Sequence, residues 1–197
     1  MRRQLQAVSS AASISRIVLL LAIVLSGCGG SGTSSPAASA EKQTFVPLAS
    51  AAIVGGRIPA RYTCDGANIA PPIKWGTLPT GTNEVALFVI GLTPSHTLSS
   101  IEWAMAGIKP ELHGIAAGQL PSGAFLEEAS DGKRQYSICP PKGQTKLYEF
   151  VLFALPPTVR VSGEINGVNL YHNLAEGPPE DRAPARGAFS ATYSRRR

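Results

Sequence analysis

Tyr136-Ser-Ile-Cys-Pro-Pro-Lys-Gly-Gln-Thr-Lys-Leu-Tyr-Glu-Phe150 begins as a stiff loop and ends inside a strand. Pro140 and Pro141 each fix φ and lack an N–H, so this backbone cannot lie in a central sheet ladder. Gly143 supplies a residue free to take positive φ for a turn. The following run, Tyr148 to Leu155, is apolar and aromatic and predicts a buried strand. Working outward, Glu84–Gly91 and Ile101–Ile108 have the same character, the second with one acid, Glu102, inside it. Such nearly unbroken runs predict strands covered on both faces. Thr158–Val161 and Gly187–Ser194 read as shorter β pieces. Only Asn169–Glu176 reads as helix, with Leu170 and Leu174 one turn apart. Turns rich in Gly and Pro separate these pieces, at Pro79–Gly81, Lys109-Pro110, Pro121–Gly123 and Asp131-Gly132. The pattern predicts a mainly β, two-sheet sandwich rather than an α/β fold.

A second segment, Ile58-Pro-Ala-Arg-Tyr-Thr-Cys-Asp-Gly-Ala-Asn-Ile-Ala-Pro-Pro-Ile-Lys-Trp75, matches the first in character. Together they resemble the phosphatidylethanolamine-binding protein family, in its bacterial Raf-kinase-inhibitor-like branch. The resemblance rests on Tyr62–Gly66, Pro71, Pro72, Trp75 and the Pro140-Pro141-x-Gly143 loop leading to Tyr148. It runs from about Phe45 to the C-terminus. It implies a two-sheet antiparallel sandwich with a few short peripheral helices, in agreement with the strand pattern.

The resemblance also implies a small anion pocket. In the family this is lined by an aspartate-proline-aspartate segment, a histidine before a tryptophan, and a histidine two residues before a tyrosine. Imidazoles and backbone N–H groups of a proline loop can surround an anion. Here all three polar positions differ. Gly91-Leu-Thr-Pro94 replaces the aspartate segment, Glu102 stands before Trp103, and Lys146 stands two before Tyr148. The pocket implied by the resemblance is then Glu102, Trp103, Cys139, Pro140, Pro141, Lys146 and Tyr148, with Asp65 beside it. Three arrangements are open: Glu102 and Lys146 paired across the pocket, Lys146 aimed at an anion with Glu102 in water, or both on solvated surfaces. A carboxylate inside an apolar strand needs a partner, which favours the pair. Asp65, in Cys64-Asp-Gly66, reads as a turn-former bonding local N–H groups.

Residues 1–27 read as a lipoprotein signal peptide. Arg2, Arg3 and Arg16 are its basic region, and Ile17–Leu25 is an apolar core too short to span a bilayer. Leu25-Ser-Gly-Cys28 resembles a bacterial lipobox, which implies acylation of Cys28; the alternative is an ordinary secretory signal. Each buried CH₂ of an acyl chain contributes about 0.8 kcal/mol to anchoring. Residues 28–44 read as the acylated cysteine and a Gly/Ser/Ala tether, and residues 45–197 as the domain. The expected location is extracytoplasmic, lipid-anchored to a bacterial cell membrane.

Removing the signal's three arginines from the +5 of the whole chain leaves +2. Three of the remaining cations are Arg195–Arg197, read as a solvated terminus, so nucleic acid is not an expected partner. Of the three cysteines, Cys28 goes to lipid. Cys64 and Cys139 lie one on each signature loop, and the resemblance puts both loops at one end of the domain. They are a disulfide candidate in an oxidising compartment, or two small buried thiols. His96, His113 and His172 have no metal-ligand spacing, and no nucleophile elbow or phosphate loop occurs. No metal, cofactor or enzymatic activity is expected. Two classes remain: a membrane-tethered binding protein with a degenerate anion pocket that takes a small ligand, or an interaction or inhibitor module using the pocket rim with no small ligand.

Overall fold

The computed structural model describes residues 43–159 and 165–197. Residues 1–42, which hold the segment read as a signal peptide, Cys28 and most of the segment read as a tether, lie outside the described residues. The strands are β1 (Thr44–Phe45), β2 (Leu48–Ala49), β3 (Ile73–Trp75), β4 (Glu84–Leu92), β5 (Leu98–Ile108), β6 (Gly114–Ile115), β7 (Phe125–Leu126), β8 (Thr145–Leu155) and β9 (Ala185–Ser194). One α-helix, α1 (Gly167–Glu176), and one short 3₁₀ turn, Ala60–Tyr62, accompany them among the described residues. Asn166 starts α1 by accepting a hydrogen bond from the Asn169 N–H, an ordinary N-cap.

The large sheet has the order β1-β9-β8-β4-β5-β7, and a three-stranded sheet has the order β2-β3-β6. Pairing is antiparallel throughout except at the edge, where β1 runs parallel to β9. The sandwich inferred from the strand pattern is therefore present.

The large sheet is covered on both faces, which is why its strands are continuous apolar runs. One face sends Val85, Leu87, Val89, Trp103, Met105, Tyr148, Phe150 and Leu152 against Leu48, Ile73, Trp75 and Ile115 of the small sheet. The other face sends Phe88, Ile90, Ile101, Val151 and Phe153 against Leu170, Tyr171 and Leu174 of α1. Both cores are drawn wholly from the compact unit of residues 40–197, so the domain holds together from its own residues. Burying each large side chain stabilises by about 1.5–3 kcal/mol.

The β reading of Thr158–Val161 is corrected: Thr158 lies in a turn and Val159 outside any strand, and residues 160–161 lie outside the described residues. The cause is the preceding Pro156-Pro157, which turns the chain so that the Val159 N–H bonds the Pro156 carbonyl at 3.2 Å instead of a neighbouring strand.

Candidate functional site

The site sits at the end of the large sheet where β4 stops, β5 starts and β8 starts. Regular alternation along β5 fails here. Ile90 pairs with Ile101 and Val89 with Trp103, leaving Glu102 as an extra residue with no partner on β4. A bulge of this kind re-aims side chains. A second irregularity leaves Ser99 unpaired between Ser100, opposite Gly91, and Leu98, opposite Leu92. Glu102 joins Ser100 at the small-sheet face of the large sheet, where Lys146, two residues before the buried Tyr148, also lies.

Lys146 and Glu102 meet there. Lys146 Nζ lies 2.8 Å from Glu102 Oε1. Ser100 completes the cluster: its hydroxyl donates to Glu102 Oε1 at 2.8 Å and accepts from Lys146 Nζ at 2.9 Å. The side chains are 27% and 19% exposed, so the pair lies at the rim of the core rather than in bulk water. Tyr148 is fully buried below, its ring centroid 5.6 Å from Nζ. Burial raises the Tyr148 phenol well above the ordinary tyrosine value, with the Glu102 charge adding to the shift. It is therefore a neutral floor at any ordinary pH.

Gly91 makes room for this pair. A Cβ there would lie 2.5 Å from both Cε and Nζ of Lys146 and 2.7 Å from Ser100 Oγ. The space over Gly91 is thus occupied by Lys146. Of the three arrangements open to the sequence, the cross-pocket pair is the one present.

The other expected site residues divide. Trp103 shares the small-sheet face of the large sheet with Tyr148. It is 2% exposed and packs edge-on against Tyr136 at 5.8 Å between ring centroids. With Met105 and Tyr136 it lines a cleft of about 390 Å³ walled by Ala67–Ala70 and Gly118–Leu120. Neither Glu102 nor Lys146 lines that cleft. Cys139 is exposed and Pro140 buried, on a loop free of strand pairing. Cys64 and Cys139 form a disulfide with Cα atoms 5.3 Å apart, which settles the choice between bridge and free thiols. Gly143 takes φ 78°, as its turn requires.

Asp65 is not the local turn-former expected. The turn is made by Thr63, whose hydroxyl accepts the Asp65 N–H. The Asp65 carboxylate instead accepts from Tyr193 Oη at 2.6 Å and Arg195 Nε at 3.0 Å. The Tyr193 hydrogen bond outweighs the opposing effect of burial, and the Arg195 bond and charge and the Lys142 charge add to it, so its carboxyl lies below the usual range. Arg195 also donates to the Pro140 carbonyl and to Cys139 Sγ. The start of the basic terminus is therefore docked on the disulfide loop rather than solvated, because two carboxylate and carbonyl acceptors converge on its guanidinium. Ser100 and Arg195 carried no sequence signal. Gly91 did, as an isolated glycine in an apolar strand, a mark of a bulge or a close approach.

Comparison with known proteins gives the class. A family model described as Phosphatidylethanolamine-binding protein matches residues 49–184. The Mycobacterium tuberculosis protein named "Putative lipoprotein LppC" is 32% identical over 175 residues, covering 80% of this chain and 86% of that one. The Escherichia coli protein YbhB is 28% identical over 141 residues, 61% of this chain and 88% of its own. Among solved structures, the Chlamydia trachomatis homologue CT736 superposes with a TM-score of 0.60 at 26% identity, over 77% of this chain and 98% of that one. Escherichia coli YbcL gives a TM-score of 0.62 over 76% and 98%, and at 20% identity that likeness concerns the fold. The chain belongs to the phosphatidylethanolamine-binding protein family.

Proposed function

We propose that this protein is a membrane-tethered, extracytoplasmic binding protein whose family anion pocket is closed from within. The observation that carries the reading is Lys146 Nζ, 2.8 Å from Glu102 and lying over Gly91. Glu102 plays the part of the anion: the Lys146 ammonium already has its carboxylate. A neutral, filled pocket attracts phosphate poorly. The role is binding rather than catalysis. The relative named a lipoprotein and the Leu25-Ser-Gly-Cys28 sequence support tethering through acylated Cys28.

Titration calorimetry of the domain, residues 40–197, against phosphate and phosphoethanolamine tests the pocket. The wild type is expected to be silent and the Glu102→His, Lys146→His double variant to bind. Phosphate binding by the wild type that Lys146→Ala abolishes would overturn the reading. A second reading, a module that meets another protein through the pocket rim, is favoured by Lys142 and Arg197, which are exposed on and against the Pro140–Gly143 loop.

A further inference from the structure

The sequence spreads its cations over distant segments, but the fold gathers six of them at one end. Arg57 bridges to Thr192 near the end of β9. Arg61 lies in the 3₁₀ turn that the disulfide ties to the Pro140 loop. Lys142 is on that loop, close enough for its charge to act on Asp65. Arg195 is pinned to Asp65 and the Pro140 carbonyl. The Gly143 N–H bonds the Arg195 carbonyl, and the Arg197 side chain lies against Gly143. Arg57, Arg61, Lys142, Arg196 and Arg197 are exposed and have no carboxylate partner among the described residues.

Among the described residues, Asp65 is the one acidic side chain placed with these cations, and Lys146 nearby is neutralised by Glu102, so the side chains of this end sum to +5. Residues 45–197 hold 14 basic and 12 acidic side chains, +2 in all, so the rest of the domain carries −3. A small net charge conceals a strong segregation.

We infer that this basic end is a docking surface for an acidic segment of another protein, an inference that rests on the second reading above. Two observations favour this partner. Five of the six cations are arginine, whose planar fork matches carboxylates and which is enriched at protein interfaces where lysine is depleted. Among the exposed large apolar residues, Phe45, Val54, Leu120, Phe125 and Ile165, only Val54 neighbours these cations in sequence, so this end offers little to insert into a bilayer and would meet lipid by charge alone. Charge on this rim sets encounter rate and partner choice more than tightness.

The test uses the domain, residues 40–197, with poly-L-glutamate and, separately, vesicles of phosphatidylcholine and phosphatidylglycerol in equal parts. The expected result is poly-L-glutamate binding at low salt that is lost near about 0.5 M salt. The variant Arg61→Ala, Lys142→Ala, Arg196→Ala should weaken it about tenfold or more, while Lys74→Ala, Lys109→Ala, Lys133→Ala, the same charge removed elsewhere, should change it less than about twofold. Circular dichroism of both variants checks that they fold. No binding, an equal loss in both variants, or vesicle binding stronger than poly-L-glutamate binding overturns the inference. None of these outcomes bears on the closed pocket, which the phosphate titration decides.

Discussion

Replacing Lys146 by methionine keeps the bulk of the stem and removes the charge that faces Glu102. At 2.8 Å and an effective dielectric near 20, the Coulomb attraction is about 6 kcal/mol. Most of this is offset by the cost of withdrawing both groups from water. Side chains 27% and 19% exposed fall between surface pairs, worth about 0.2–1 kcal/mol, and buried ones, whose breakage costs about 3–5 kcal/mol. Lys146→Met should therefore destabilise the domain by about 1–3 kcal/mol, lowering Tm by roughly 3–9 °C for a domain of this size. Glu102→Gln should cost less, because the long lysine can swing into water whereas the carboxylate, held on a bulge, cannot. Urea titrations of wild type, both single variants and the double variant give the coupling energy. A value of about 1–2 kcal/mol is expected. Coupling below about 0.3 kcal/mol would mean that the two charges are solvated independently and would refute the argument.

Gly91→Ala should drive the Lys146 ammonium off Glu102, since the new methyl needs its space; the expected loss is about 1–3 kcal/mol, and it should shrink in a Lys146→Ala background. Replacing both Cys64 and Cys139 by serine opens a loop spanning 75 residues and should lower stability by up to about 4.5 kcal/mol on the chain-entropy estimate, read as a shift in the urea midpoint. The Asp65 carboxyl is held below its usual value in the fold, so its contribution is fully present above about pH 4 and is lost as pH falls through the depressed folded value. Asp65→Asn should accordingly lower Tm at neutral pH and flatten its dependence on acidification; a wild-type and variant profile that stay parallel below pH 4 would count against the Arg195–Asp65 lock.

The long strands β4, β5 and β8 were legible because a sheet covered on both faces leaves unbroken apolar runs, and α1 because Leu170 and Leu174 share a face. The small sheet was not: Leu48–Ala49 and Gly114–Ile115 are too short for any periodicity to show. The Glu102–Lys146 pair was readable as one of three options because an acid in an apolar strand demands a partner. Trp103 follows Glu102 onto the same face only because of a one-residue bulge, which alternation cannot foresee. Asp65 was misjudged for a different reason. Its partners Tyr193 and Arg195 lie 128 and 130 residues away, and a local turn is all that adjacent residues can suggest.

The order of strands in the large sheet has a consequence for how the chain is made. β8 fills the gap between β4 and β9, yet it is synthesised after β4, β5 and β7 have all emerged. Until Thr145–Leu155 arrives, the hairpin of β4 and β5 carries an open edge along Glu84–Leu92, every interior residue of which is apolar. Such an edge is a template for pairing with other chains. Nascent or truncated forms ending before Leu155 should therefore be sticky.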